Sequence, residues 1–553
     1  MSIPTRQRRP LAMLGLLALV VAPALLAQSA NECDQPGETP DVIVGDLHET
    51  RRWGKIGDIT GFSIGTYSCN VGTCWLNWID NTNEHPVIAQ NMYRLKDGRY
   101  EHIGQSWLKH GFNALSFQIC NTGCIPTDGT HLGVNCSDPY SSANNGQQFR
   151  MGPKFEVNPV TGDFPYPYTG QNQSGDPIYK RLQVHDDMLN PAMNFGAEYF
   201  VEGHYIAADD AAAGNDLNNA SYRPIQVTGG AGTYNISLIG TTQREQPGIA
   251  AWGDNDTGVT ESFVDVPGDG RFYVSSKATD LGGGMWHYEY AVQNYNSDRA
   301  AGSFAVPIPL GVSVSNVEFH DVDYHSGEPY DPTDWTPGVS SVEVRWDTVD
   351  FAVNPDANAL RWATLYNFRF DADVAPQTGS VTLGMFKPGS PETAAVTAVV
   401  PTVCNSNGVC DPGEHCAACS ADCPDSGPDD DSDLTNVCAD CNDLDGDNQG
   451  PPGPVGTVEF VSSSRLQWQA PAMPNGTGLR YEVLRSPDAG NFEGATCLTP
   501  AAGDLFVDDA TAPTAGQRLF YLPRALNDCP SPQDRGSLGV DSAGAPRSGS
   551  GCP

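Results

Sequence analysis

The sequence predicts an all-β, multi-domain protein, and three observations carry that prediction. From about Asp41 to Val403, short apolar or alternating runs are punctuated by Gly, Pro, Asn and Asp, the pattern of many short strands joined by turns. Gly or Pro interrupts nearly every candidate amphipathic helix, so no helical period is sustained. The sixteen cysteines cluster on either side of a cysteine-free stretch from 137 to 403, as expected of disulfide-stapled modules flanking a larger body.

The first thirty residues read as a signal peptide (1–30). Arg6, Arg8 and Arg9 precede an apolar run from Leu11 to Leu26, and small residues follow at Ala27, Ser29 and Ala30, which places cleavage near Ala27–Ala30. The apolar run is too short and too cleanly ended for a permanent span, and no later segment is long and apolar enough to cross a bilayer. Loss of these three arginines takes the formal net charge from -37 to about -40. Such a surface repels nucleic acid and anionic lipid. The expected location is secreted or cell-surface, with the periplasm an alternative.

Within the main body the expectation is two packed β-sandwich units, a six-cysteine domain at 31–230 and a second at 231–403, divided where Gly229, Gly230 and Gly232 cluster. The clearest hairpin is Val87–Leu95, Lys96-Asp97-Gly98, then Arg99–Ile103, because Asp-Gly supplies the positive φ of a tight turn. Along Met285–Val292, residues Trp286, Tyr288, Tyr290 and Val292 alternate toward a core while His287 and Glu289 face the other way. Trp362, Tyr366, Phe368 and Phe370 repeat the pattern with Arg369 opposite.

Residues 404–450 differ sharply, with seven cysteines, twelve acids and no Lys or Arg. Too few apolar residues remain for a core, so disulfides, bound cations or both must order this acidic linker, or it stays flexible. The odd cysteine counts here and after residue 496 suggest a bridge between the two groups, through Cys552, or a free thiol. Residues 451–540 return to β character, and the Gly- and Ser-rich tail 541–553 is expected to be loose.

Pro454, Leu466-Gln467-Trp468, Pro471, Tyr481-Glu482-Val483, Phe506-Val507-Asp508 and Phe520-Tyr521-Leu522 fall in the order that resembles a fibronectin type III-like sandwich, with Trp468 and Tyr481 as core positions. The resemblance covers about ninety residues and implies an accessory or spacing module without catalytic residues. Gln105–Phe112, Cys136–Tyr140 and Asn358–Trp362 resemble segments of uncharacterised secreted bacterial proteins, which implies secretion and β architecture only.

The richest chemical cluster runs from Phe319 to Glu328. If it is extended, Asp321, Asp323 and His325 share one face and His320 takes the other. Carboxylates and imidazoles together suit a transition metal such as Zn, Mn or Fe. The same residues also suit a loop, marked by Gly327, Pro329 and Pro332, whose polar side chains cap turns. His185, before Asp186-Asp187, and His204 form a second candidate pair, worth testing with the first because the chain has only eleven histidines. Asp443, Asp445 and Asp447, around Gly446, present hard oxygens in a short loop, so calcium is the natural cation there. Ser106-x-x-Lys109 has the spacing of a Ser–Lys pair, which a turn of helix would close, yet it follows a strand-like run. Trp75, Trp78, Trp252 and Trp335 suit sugar stacking if exposed and a core if buried.

Two functions fit these features. One is a secreted or surface-associated β-sandwich protein with a binding or structural role, stabilised by calcium. Its partner would be an extracellular polymer, a cell-surface component or another protein. The other is an extracellular metal-dependent hydrolase or oxidase acting on a polymer, with the C-terminal module as accessory. An enzyme needs a cleft that gathers several of His185, His204, His320, Asp321, Asp323 and His325; a binding protein can leave them scattered.

Overall fold

The computed structural model describes residues 32–33, 35–230, 232–402, 450–492, 494–513 and 517–529, with residues 536, 538, 547 and 552 of the tail. The expected signal segment and cleavage region lie outside the described residues, as does the acidic segment up to 449 with Asp443, Asp445 and Asp447.

The chain is all-β, as expected, with several separate sheets and only short helices. The first unit is an eleven-stranded sheet running from Val42 to Leu238. Its long edge strand Val42–Ile56 pairs antiparallel with Ile59–Asn70, with three register shifts that coil the pair. At the far edge, Ala220–Thr228 pairs with Asn235–Leu238. The glycine cluster at 229–232 therefore turns a hairpin inside this sheet. The sheet curls until its edges meet: Ser221 Oγ donates to the Val44 carbonyl (2.7 Å), and Thr50 Oγ1 donates to that of Ile236 (2.7 Å). Closure by side chains covers what would otherwise be an open edge. It encloses a core containing Val44, Phe62, Ile64, Met92, Val201 and Tyr205.

The hairpin expected at 87–103 forms between Val87–Lys96 and Arg99–Gln105, with Lys96 opposite Arg99. Asp97 (φ 52°) and Gly98 (φ 80°) both take positive φ, as a tight turn of this kind requires. Cys69–Cys120 ties a loop to the strand Ile59–Asn70, while Cys33–Cys74 and Cys124–Cys136 join segments outside the strands of this unit.

The second unit, Thr260 to Pro401, is a sandwich of two five-stranded sheets. Met285–Asn294 pairs with Thr364–Ala372 so that Tyr288 faces Phe370 and Tyr290 faces Phe368. These rings fill the core with Phe304, Trp346 and Trp335. The alternation is as expected, but the other face of these strands is not solvated. Ala291 and Leu365 are fully buried in a second cluster with Tyr93, Tyr100 and Trp252. Glu289 is 3% exposed, with its carboxylate 3.3 Å from Arg99 Nε of the first unit. The strands separate two interiors.

Residues 458–526 form two three-stranded sheets around Leu466, Trp468, Tyr481, Val483 and Val507. Cys552 is buried and bridged to Cys497, so the loose tail expected after residue 540 is pinned at that point. Cys552 thus bonds within its own group, and Cys529 is disulfide-bonded as well.

Candidate functional site

Of the residues singled out from the sequence, His185 and Asp323 meet at the seam between the two main units. His185 closes the strand Leu182–His185. Its Nε2 lies 3.0 Å from Asp323 and its Nδ1 3.3 Å from Asp58. The hydrogen bond to Asp323, reinforced by Asp58, pushes His185 up to about 9. Two sequence clusters therefore meet here as an ion pair across the seam.

The rest disperse. The strand Val314–His320 ends before the acids, so Asp321, Asp323 and His325 do not share one extended face. Asp321 instead accepts from Asn358 Nδ2 (2.5 Å), and burial pushes its carboxyl up to about 7. His325 lies beside Trp107 with the rings tilted at 52°, and its Nε2 is 2.8 Å from the Arg181 carbonyl. Burial lowers His320, and its Nε2 has no hydrogen-bond partner among the described residues. His204 stacks on Tyr295 (4.4 Å) in the interior, and burial pushes it down to about 3. Among the described residues, no group of three or more His, Cys, Asp or Glu side chains is placed to hold a metal ion.

The seam's centre is a buried polar cluster that sequence reasoning missed. Glu202, fully buried on Glu198–Ile206, accepts from Asn91 Nδ2 (2.8 Å), Tyr93 hydroxyl (3.1 Å), Gln293 Nε2 (3.1 Å) and the Gly248 backbone N–H. A Cβ on Gly248 would sit 2.3 Å from the Tyr93 ring, so only glycine permits this approach. Lys154 donates to Gln105 Oε1 (2.8 Å) and reaches Asn91 Oδ1 (3.3 Å) and the Ala363 carbonyl (3.4 Å). Burial lowers the Lys154 amine and raises the Glu328 carboxyl beside it, while their mutual attraction opposes both shifts. The available signal was a lone acid inside the apolar run Tyr199–Ile206.

Two concavities lie elsewhere. One, of about 50 Å³, is lined by Asp80, His85, His110, Arg150 and Tyr166 among others. The other, of about 530 Å³, is an apolar groove beside Phe195 and Ile239. Ser106 and Lys109 form no pair. Ser106 Oγ donates to the Trp107 carbonyl (2.6 Å), and the strand Leu108–His110 replaces the turn of helix that would have closed them. Trp78, Trp252 and Trp335 are core residues, whereas Trp75 is half-buried.

Fold and site together define a multi-domain all-β protein whose two main units are joined through a buried polar seam. No protein-family model and no curated protein sequence matches the chain. Among solved structures, it is similar to a Serine-rich Repeat Adhesion Glycoprotein from Streptococcus agalactiae at 7% identity and a TM-score of 0.17, over 67% of this chain and 100% of that one. It is also similar to the BSP domain of a biofilm associated protein at 9% identity and a TM-score of 0.12, over 89% of this chain and 79% of that one. Overlap this low leaves the role to be argued from the geometry. Among the described residues, no helix is long and apolar enough to cross a membrane.

Proposed function

We propose that this is an exported, secreted or surface-associated protein whose role is binding or structural. The observation that carries the reading is the use made of the seam's histidines, lysine and carboxylates. His185 clasps Asp58 and Asp323, and Glu202 gathers donors from three separate segments. His185, Glu202 and Lys154 are thus engaged in fixing one unit against the other. The disulfides support an oxidising location. On this reading the C-terminal module is a fibronectin type III-like spacer, and calcium orders the acidic linker through Asp443, Asp445 and Asp447.

The test combines location, binding and metal content. N-terminal sequencing of protein recovered outside the cytoplasm is expected to start near Ala27–Ala30. The purified mature chain is expected to bind cell envelopes or extracellular polymer without cleaving or oxidising them. Elemental analysis is expected to find calcium that persists in His320→Ala/His325→Ala. A stoichiometric transition metal lost in that variant, together with polymer turnover, would overturn the reading in favour of a metal-dependent hydrolase or oxidase.

A further inference from the structure

The small cavity beside Leu108–His110 holds a proton order that the backbone fixes. The Ile79 carbonyl can only accept, and His85 Nδ1 lies 3.2 Å from it, so Nδ1 carries the proton. His85 Nε2 is then bare and accepts from His110 Nδ1 at 3.0 Å. A neutral imidazole has one N–H, so His110 Nε2 is left unprotonated. It makes no hydrogen bond among the described residues, although His110 is only 2% exposed. Burial holds both rings in the neutral form by lowering their pKa values, His85 to about 4. The His110 ring is held in place by stacking on Tyr168 at 3.6 Å.

Arg150 and Gln171 supply the complementary chemistry. Arg150 donates to both oxygens of Asp80 (2.9 and 3.4 Å), which leaves other guanidinium N–H groups available. Gln171 Nε2 donates to the Tyr166 hydroxyl (2.7 Å), which donates to Asn81 Oδ1 (3.2 Å). A ligand here meets the bare acceptor of His110, the lone-pair capacity left on Asp80 Oδ2 beside its contact with Arg150, and donors on Arg150 and Gln171. An anion is disfavoured by the Asp80 carboxylate and the imidazole lone pair, and a cation by Arg150. A hydroxyl satisfies both kinds of partner because it donates and accepts. The cavity, about 50 Å³, has room for roughly three or four water-sized groups, enough for a diol arm or hydroxymethyl group. Phe149, 40% exposed, lines the same cavity and offers an apolar face to the C–H side of a sugar ring.

We infer that this cavity is a subsite for a neutral, hydroxyl-rich ligand, the edge of a sugar unit in an extracellular glycan. The inference rests on the binding role proposed above and names one ligand class for it.

The experiment applies the full mature chain to an array of neutral and uronic-acid-containing oligosaccharides, alongside whole cell envelopes. Three variants are compared. His110→Phe keeps the ring stack and removes the acceptor, Gln171→Ala removes a half-buried donor, and Phe195→Ser alters the separate groove. Neutral oligosaccharides are expected to bind, with His110→Phe and Gln171→Ala each weakening binding about tenfold, the loss of one good polar contact, and Phe195→Ser leaving it unchanged. Thermal unfolding checks that the variants are folded, and Gln171→Ala retains the test if His110→Phe is not. Binding to envelopes but to no neutral oligosaccharide overturns the subsite and leaves the binding role standing. So does neutral-glycan binding that Gln171→Ala does not weaken, or a preference for the uronic-acid set. Failure to bind glycans and envelopes alike removes both proposals.

Discussion

Replacing Glu202 by Gln tests the seam with almost no change of shape. The carboxylate accepts four hydrogen bonds, two on each oxygen: Asn91 and Tyr93 on Oε1, Gly248 and Gln293 on Oε2. All four partners donate, so an amide NH2 in place of either oxygen takes the acceptor from two of these donors. Among the four only the Tyr93 hydroxyl can accept in return. Each buried donor left without an acceptor costs about 1–3 kcal/mol. The substitution should therefore cost about 4 kcal/mol in total. At roughly 2 °C per kcal/mol for a body of this size, Tm falls by about 8 °C. Asn91 and Tyr93 belong to the first unit's sheet and Gln293 to the second unit, so the loss should also uncouple the two. Near-UV circular dichroism against temperature should show one transition in the wild type and two in Glu202→Gln. The control is Glu318→Gln, which removes an exposed carboxylate paired with Arg369 and should move Tm by less than about 1 °C. A single transition in Glu202→Gln within about 1 °C of wild type would refute the claim that this carboxylate holds the units together.

Other consequences can be measured independently. His185 is raised to about 9 by Asp323 and Asp58, so its contribution is fully present below its unfolded value of about 6.5 and fades as pH rises through about 9. The site is partly exposed, so solvent limits the effect to about 0.5–1 kcal/mol. His185→Ala should flatten the fall in stability between about pH 6.5 and 9, followed by urea unfolding. Cys69→Ala/Cys120→Ala opens a loop of 51 residues and should cost about 2–4 kcal/mol by the same measurement. Trp346→Ala empties a fully buried site beside Phe304 and Phe368. It should cost about 3–5 kcal/mol, with an unchanged far-UV spectrum in any fraction that stays folded.

The hairpin at 87–105 was legible because its determinants are adjacent: Asp97 and Gly98 supply the turn, and the flanking residues alternate. The aromatic core of the second unit was legible for the same reason, since Tyr288, Tyr290, Phe368 and Phe370 announce one face of two strands. What covers the opposite face is not encoded locally. Asn367 donates to the Tyr100 carbonyl from 267 residues away, and Glu289 meets Arg99 from the other unit. Periodicity distinguishes two faces but does not say whether the second meets water or protein. The candidate site divides in the same way. Scarcity of histidine drew attention to His185 and His204, yet only the fold brings Asp323 to the first and leaves the second among rings. Lys154 gave no signal, because its importance comes from burial beside residues distant in sequence.

The two interiors on either side of Met285–Asn294 and Thr364–Ala372 also determine how the protein can be taken apart. Cutting between Leu238 and Thr260 would uncover Ala291, Leu365 and Tyr273 on one fragment. On the other it would leave Glu202 without Gln293 and Lys154 without the Ala363 carbonyl. One piece would carry an uncovered apolar face and the other buried charges stripped of partners. Fragments designed from the sheet boundaries alone should aggregate, and the smallest exchangeable unit of this body runs from Val42 to Pro401.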